Sequence, residues 1–195
     1  MAKTNFDPGT MLNPVPVVMV SCGEGDEANI ITIAWAGTVC SNPPMLSISV
    51  MKKRHSHHII EETGEFVVNL VNEDLVKACD YCGVTSGSKV NKWKDTGLTK
   101  GKADFVSCPT IEESPVNLEC KVREMKTLGS HDIFIAEIVN VKVDDSLIDD
   151  KGKIWMEDAG FVAYNHGKYQ PLKEPVGFFG FSVMKEKTRL RKEGK

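Results

Sequence analysis

The stretch VNLECKVREMKTL (116–128), Gly129-Ser130 and HDIFIAEIVNVKV (131–143) reads as two long strands joined by a tight turn. On its first arm Leu118, Cys120 and Val122 alternate with polar neighbours, the period-two pattern of a strand with one buried face. On its second arm Ile133 and Ile135 keep one phase, whereas Ile138, Val139, Val141 and Val143 slip out of it, so a β-bulge is expected in the middle.

Shorter strands flank this hairpin. Val15 to Cys22 is a β-branched run, and the turn-forming Gly23 to Asp26 leads into a partner strand at Asn29–Ala34. SNPP (41–44) breaks the chain before Met45–Met51, where Leu46, Ile48 and Val50 alternate with Ser47 and Ser49, and Phe66–Val71 returns to strand. The helical segments are short: Ser56–Thr63, with Ser56 as N-cap and Gly64 as stop; a segment through Leu75, Val76, Ala78 and Cys79, capped by Asn72 or Asp74 and ending near Gly83; and Ser86–Trp93. Thr96–Thr110 is rich in turn residues. With many strands and no regular strand–helix alternation, the expected class is mainly β with short helices, a closed or partly closed antiparallel barrel and not a doubly wound parallel sheet. No repeat or low-complexity linker interrupts the 195 residues, so a single domain is expected, followed by a flexible, solvated basic tail from Lys185 to Lys195.

Composition narrows the function. Hydrophobic residues make up 41% and charged residues 26% of the chain, and no run nears the roughly 20 apolar residues of a membrane-spanning helix. A net charge of −3 provides no basic field for nucleic acid. The opening MAKTNFDPGTMLNPVPVV lacks the order of a secretory signal, so a cytoplasmic protein is expected. Its six cysteines, Cys22, Cys40, Cys79, Cys82, Cys108 and Cys120, are then expected as reduced thiols.

Three stretches carry residues suited to chemistry. In NIITIAWAGTVCSNPP (29–44) the strand gives way to Ala36, Gly37, Thr38 and Ser41, small or hydroxyl-bearing residues that let backbone N–H groups approach a planar or anionic ligand. The alternative is an ordinary loop with Trp35 in the core. KKRHSHH (52–58) places cations before a helix whose first amides are unpaired, a setting for phosphate, or else forms a solvated charged face capped by Ser56. A metal site at His55, His57 and His58 is not expected, because no carboxylate or cysteine stands at an established spacing from them. CDYC (79–82) has dithiol spacing but falls toward a helix end, and the second half of a zinc site is missing. Glu119, Glu137 and His166 are within reach of a ligand role but are assigned none.

In order along the chain, TIAWAGT (32–38), SNPP (41–44), LSISV (46–50), GEFVVN (64–69), DYCG (80–83), Ser86-Gly87, PVNLECK (115–121), GSH (129–131) and YNHG (164–167) resemble the FMN-binding split-barrel family of flavoredoxins and flavin reductases. That resemblance implies a Greek-key split β-barrel that dimerises around FMN. It places the isoalloxazine ring along Trp35–Ser41, so that Thr32, Trp35, Ala36, Thr38, Cys40 and Ser41 become cofactor positions, Cys40 standing where relatives carry Asn or another small polar residue. It places Lys53, Arg54 and Ser56 at the FMN phosphate and Lys92 as a further cation near it. His131 matches the histidine of a Gly-Asp-His motif that lies near nicotinamide, with Ser130 replacing the Asp. The implied function is electron transfer through a non-covalent flavin, as a flavoredoxin-like carrier or as a flavin reductase fed by NAD(P)H or a protein donor. The rivals are an FMN-binding module without turnover and a CxxC thiol-redox protein.

Overall fold

The computed structural model describes residues 1–184; the basic tail expected at Lys185–Lys195 lies outside them. Among the described residues no helix is long and apolar enough to cross a membrane.

The long hairpin is present as read. Strands β9 (Val116–Leu128) and β10 (His131–Val143) pair antiparallel, with register shifts at Ile135/Ala136 and Ile138/Asn140, where the apolar phase slips. Around it are built β2 (Val18–Cys22), β3 (Asn29–Ile33), β4 (Ala36–Ser41), β5 (Pro44–Met51) and β6 (Glu65–Leu70), in an antiparallel sheet of order β3-β2-β6-β9-β10-β5-β4. The hairpin is inserted between β5 and β6, consecutive in sequence, so the chain crosses over it through helix α1 (His55–Thr63). The sheet curls until β3 faces β5, so that Ile31–Ala34 and Ser49–Met51 line one cavity, and Ser49 N donates to Trp35 O at 2.9 Å as a further rung between β5 and the start of β4.

Inside the curl, Val20, Ile31, Ile48, Val50, Phe66, Cys120 and Phe134 form one core with Ile59 and Ile60 of α1. A second core on the other face joins Val17, Met19 and Ile30 to α2 (Val76–Val84), α3 (Lys92–Thr96) and Val162. Strand β2 is buried on both faces, so it reads as a continuous apolar run, while β5, buried on one, alternates.

Three boundaries differ from expectation. The run Val15–Cys22 divides: β1 (Val15–Pro16) pairs with β11 (Val162–Asn165), itself paired with β12 (Lys168–Pro171), in a separate three-stranded sheet. Pro16 lacks the N–H that a continuous ladder needs. Ser56 is not the N-cap of α1. Arg54 takes that position with no side-chain cap, and the Ser56 hydroxyl, inside the first turn and buried, accepts a hydrogen bond from Asn29 Nδ2 at 2.8 Å. Ser86–Trp93 is not a helix; α3 starts at Lys92, behind Asn91, whose Oδ1 accepts from Lys94 N at 3.0 Å. Ser86 and Ser88 instead hydrogen-bond each other locally at 2.9 Å, which favours turns over helix. The stops were correctly placed: Gly64 has φ 66°, a left-handed conformation that suits glycine, and α2 ends at Val84, beside the expected Gly83.

Candidate functional site

Two cavities adjoin where β3 faces β5, and they share Ile31 and Arg54. The first, about 160 Å³, is lined by Asn29, Lys53, Arg54, Ser56, Ser86, Lys92 and their neighbours. The second, about 250 Å³, is lined by Thr32, Trp35, Met51, Gly83, His131 and their neighbours.

Two cations of the first cavity, Arg54 and Lys92, are held at the end of α2. Arg54 Nη2 donates to Gly83 O at 2.5 Å, and Lys92 Nζ donates to Cys82 O and Ile30 O, each at 2.7 Å. Cys82 and Gly83 belong to the last turn of α2, whose carbonyls carry the negative end of the helix dipole. Opposite them, the N–H groups of His55 and Ser56 open α1 and have no acceptor within that helix. Lys92 is almost fully buried, and burial lowers its pKa to about 8, with Cys82 pulling it up and Arg54 pushing it down further. With two of its three N–H donors on carbonyls, one remains for a ligand. His55, on the same wall, is held below its usual pKa first by burial and then by the adjoining His58 and Lys92.

The second cavity is aromatic. Trp35 is 45% exposed, which excludes its reading as a core residue, and its ring centroid lies 4.6 Å from that of His131, tilted by 38°. Ser130 Oγ is 2.9 Å from His131 Nδ1 and fixes the ring from the turn side. Directly beneath, Asp132 Oδ2 lies 2.7 Å from His57 Nε2 of α1 and Oδ1 lies 3.5 Å from Lys52. Burial raises the Asp132 pKa, but hydrogen bonds to His57 and Thr127 and the charge of Lys52 outweigh it, so this carboxyl sits below the usual range.

The expected residues therefore divide. Thr32, Trp35, Lys53, Arg54, Ser56, Lys92 and His131 meet around the paired cavities, Thr32 also donating through Oγ1 to Cys79 O. Ala36, Thr38, Cys40 and Ser41 lie on β4, the edge strand, outside both cavities; Thr38 and Ser41 are exposed, Ala36 and Cys40 partly so. Asn29 and His55, to which the sequence assigns no part in flavin binding, also line the cationic wall. Gly87 shows its own signal, since a Cβ there would fall 2.3 Å from Asn29 Oδ1. Glu119 is fully buried and accepts from Asp104 N, Phe105 N and Asn140 Nδ2 at 2.6–3.1 Å, which makes it a loop anchor; Glu137 pairs with Arg123 at 2.7 Å. Cys79 and Cys82 are buried free thiols in α2, and burial raises their pKa values to about 12 and about 11, which suppresses the thiolate that exchange chemistry requires.

An antiparallel barrel with a cationic cavity opening onto an aromatic one defines the class, a split barrel. Residues 10–173 match the flavin reductase like domain family, and the chain belongs to that family. It is similar to the flavoredoxin of Desulfovibrio vulgaris (Miyazaki F), with a TM-score of 0.86 and 28% identity over 94% of this chain and 100% of that one. It is similar in fold to a protein with a split barrel domain from Shewanella frigidimarina, with a TM-score of 0.75 and 21% identity over 84% and 85% of the two chains. An uncharacterised protein of Archaeoglobus fulgidus is 32% identical over 143 residues, 73% of this chain and 80% of its own.

Proposed function

We propose that the protein binds FMN non-covalently and passes electrons through it. The observation that carries this reading is the junction of the two cavities at Ile31 and Arg54, which sets a cationic wall beside an aromatic shelf. The donors present fit a phosphate: two fixed cations with N–H groups to spare, an exposed Lys53, a serine hydroxyl and the opening amides of a nine-residue helix.

In this reading Lys53, Arg54, Ser56 and Lys92 bind the phosphate, and Thr32, Trp35 and His131 flank the ring. Ala36, Thr38, Cys40 and Ser41 contribute from the edge strand, where a second copy of the chain would close the exposed side, so the assembly is a homodimer. FMN, once bound, supplies the capacity to accept and release hydride or single electrons. The chain itself supplies position and field. The Asp132–His57 hydrogen bond ties the start of β10, and with it His131, to the helix that opens on the phosphate wall. The open face of the Trp35–His131 shelf is where a reductant would approach, NAD(P)H or a protein electron carrier in the cytoplasm.

Anaerobic mixing of the FMN-loaded protein with NADH, NADPH or reduced ferredoxin tests turnover. Bleaching of the flavin by one donor on a catalytic timescale is the expected result. Bleaching by none would leave a binding module.

A further inference from the structure

Beyond β12 the described chain ends in an apolar arm, 172–184, in which Val176, Phe179, Phe181 and Val183 are exposed at 102, 106, 52 and 85%. Single exposed apolar residues need no account, but four within eight positions concentrate more apolar surface in one segment than soluble monomers ordinarily leave uncovered. The arm also has a defined shape. Phe181 N donates to Phe178 O at 3.0 Å, Val183 N to Gly180 O and Met184 N to Phe181 O, each at 3.3 Å, and the rings of Phe178 and Phe181 meet edge-on at 6.2 Å. Gly177 makes this turn possible, because a Cβ there would lie 2.7 Å from Phe181 Cε1, and Gly180 has φ 83°. The result is a preformed knob that presents Val176, Phe179 and Val183 outward.

The arm begins at a groove of matching chemistry. A cavity of about 330 Å³ runs between β1, β6 and β11, and Val15, Val18, Val71, Phe161, Ala163 and Leu172 are among its lining residues, none of which carries a charged or hydroxyl side chain. Leu172 is both a lip of the groove and the first residue of the arm, and its N–H donates to Phe161 O at 3.1 Å. Knob and groove are thus neighbours in one chain, yet both stand open.

We infer that the arm is exchanged: the knob of each chain seats in the groove of a second copy, and the two grooves lie beside the two-fold axis. An isologous contact of this kind closes on itself and leaves no knob or groove free to propagate a fibre. Burying Phe179 and the exposed half of Phe181 removes roughly 200–400 Å² per arm. Two arms, the valines and the groove walls they cover then reach the roughly 1,200 Å² of a specific interface. The inference rests on the two-copy reading above and adds a second contact surface to the one at the β4 edge.

Sedimentation equilibrium of the full chain and of Phe179→Ser/Phe181→Ser is the test. Both rings are exposed in the protomer, so the substitutions leave its fold, followed by circular dichroism, unchanged. The wild type is expected to be a dimer, with a dissociation constant raised about 100-fold or more in the variant. A monomeric wild type overturns both the dimer and the exchange; a dimer indifferent to the substitutions overturns the exchange alone. Phe179→Cys/Ala163→Cys locates the knob: under oxidation a cross-link that doubles the mass is expected, with the wild type as control. A cross-link within one chain would place the arm in its own groove, and no cross-link would place it elsewhere; either overturns the exchange.

Discussion

Replacing Lys53 by alanine is expected to weaken FMN binding about 10- to 100-fold while changing riboflavin binding by less than about twofold. Lys53 is exposed at the rim of the cationic cavity, and nothing else in the fold depends on its ammonium group to the extent that α2 depends on Arg54 or Lys92. A well-formed charge-assisted hydrogen bond to phosphate contributes about 1.5–3 kcal/mol, and riboflavin has no phosphate to lose it from. Raised salt should reproduce part of the effect for FMN, since exposed charges are screened over about 8–10 Å at ordinary ionic strength. Trp35→Ala should weaken both ligands alike, because it strips the shelf beside the ring they share. Equal losses for both ligands on Lys53→Ala, in paired fluorescence titrations, would mean that the barrel and not the phosphate contact had been damaged. No loss for either would return 52–58 to a solvated charged face.

Glu119→Ala is expected to cost about 2–4 kcal/mol of stability, because it takes the acceptor away from two backbone N–H groups and an amide in a part-buried setting. The carboxylate is fully buried, receiving Asp104 N at 3.0 Å and Phe105 N at 2.6 Å from the loop after β7 (Lys100–Gly101), and Asn140 Nδ2 at 2.9 Å from β10. For a chain of this size the melting temperature should fall by roughly 10 °C. None of these partners lines either cavity, so the FMN affinity of the folded variant should stay within about threefold of the wild type. Urea denaturation followed by titration checks both halves. A stability loss below about 1 kcal/mol accompanied by lost FMN affinity would make Glu119 a ligand contact and not an anchor.

Periodicity made the frame legible. Leu118, Cys120 and Val122 alternate because β9 buries one side, and the slip after Ile135 marks a real register shift in β10. Local signals failed where distant partners decide conformation. Ser56 looks like a cap in sequence, but its hydroxyl is taken by Asn29, 27 positions away, and no local rule contains that bond. At Ser86–Trp93 a local bond and a distant one act together: Ser86 pairs with Ser88, and Gly87 packs onto the Asn29 side chain, which no local rule contains. For the site, residue types alone left Trp35 between core and ligand. Resemblance supplied the ligand reading, and the half-exposed ring facing His131 removes the core one. The carbonyl cradle that buries Lys92 was invisible, since it depends on where α2 ends relative to β3. Likewise, nothing in local sequence separates Ala36, Thr38, Cys40 and Ser41 from Trp35, although the curl of the sheet sends them to an edge outside the cavities.

If the paired cavities form one FMN site, equilibrium titration of the flavin-stripped protein with FMN, followed by absorbance and flavin fluorescence, reads its stoichiometry. Saturation near one FMN per chain, with riboflavin bound more weakly by the contribution of the phosphate, is the predicted result. A protein that purifies colourless and takes up neither flavin at saturating concentration would contradict it.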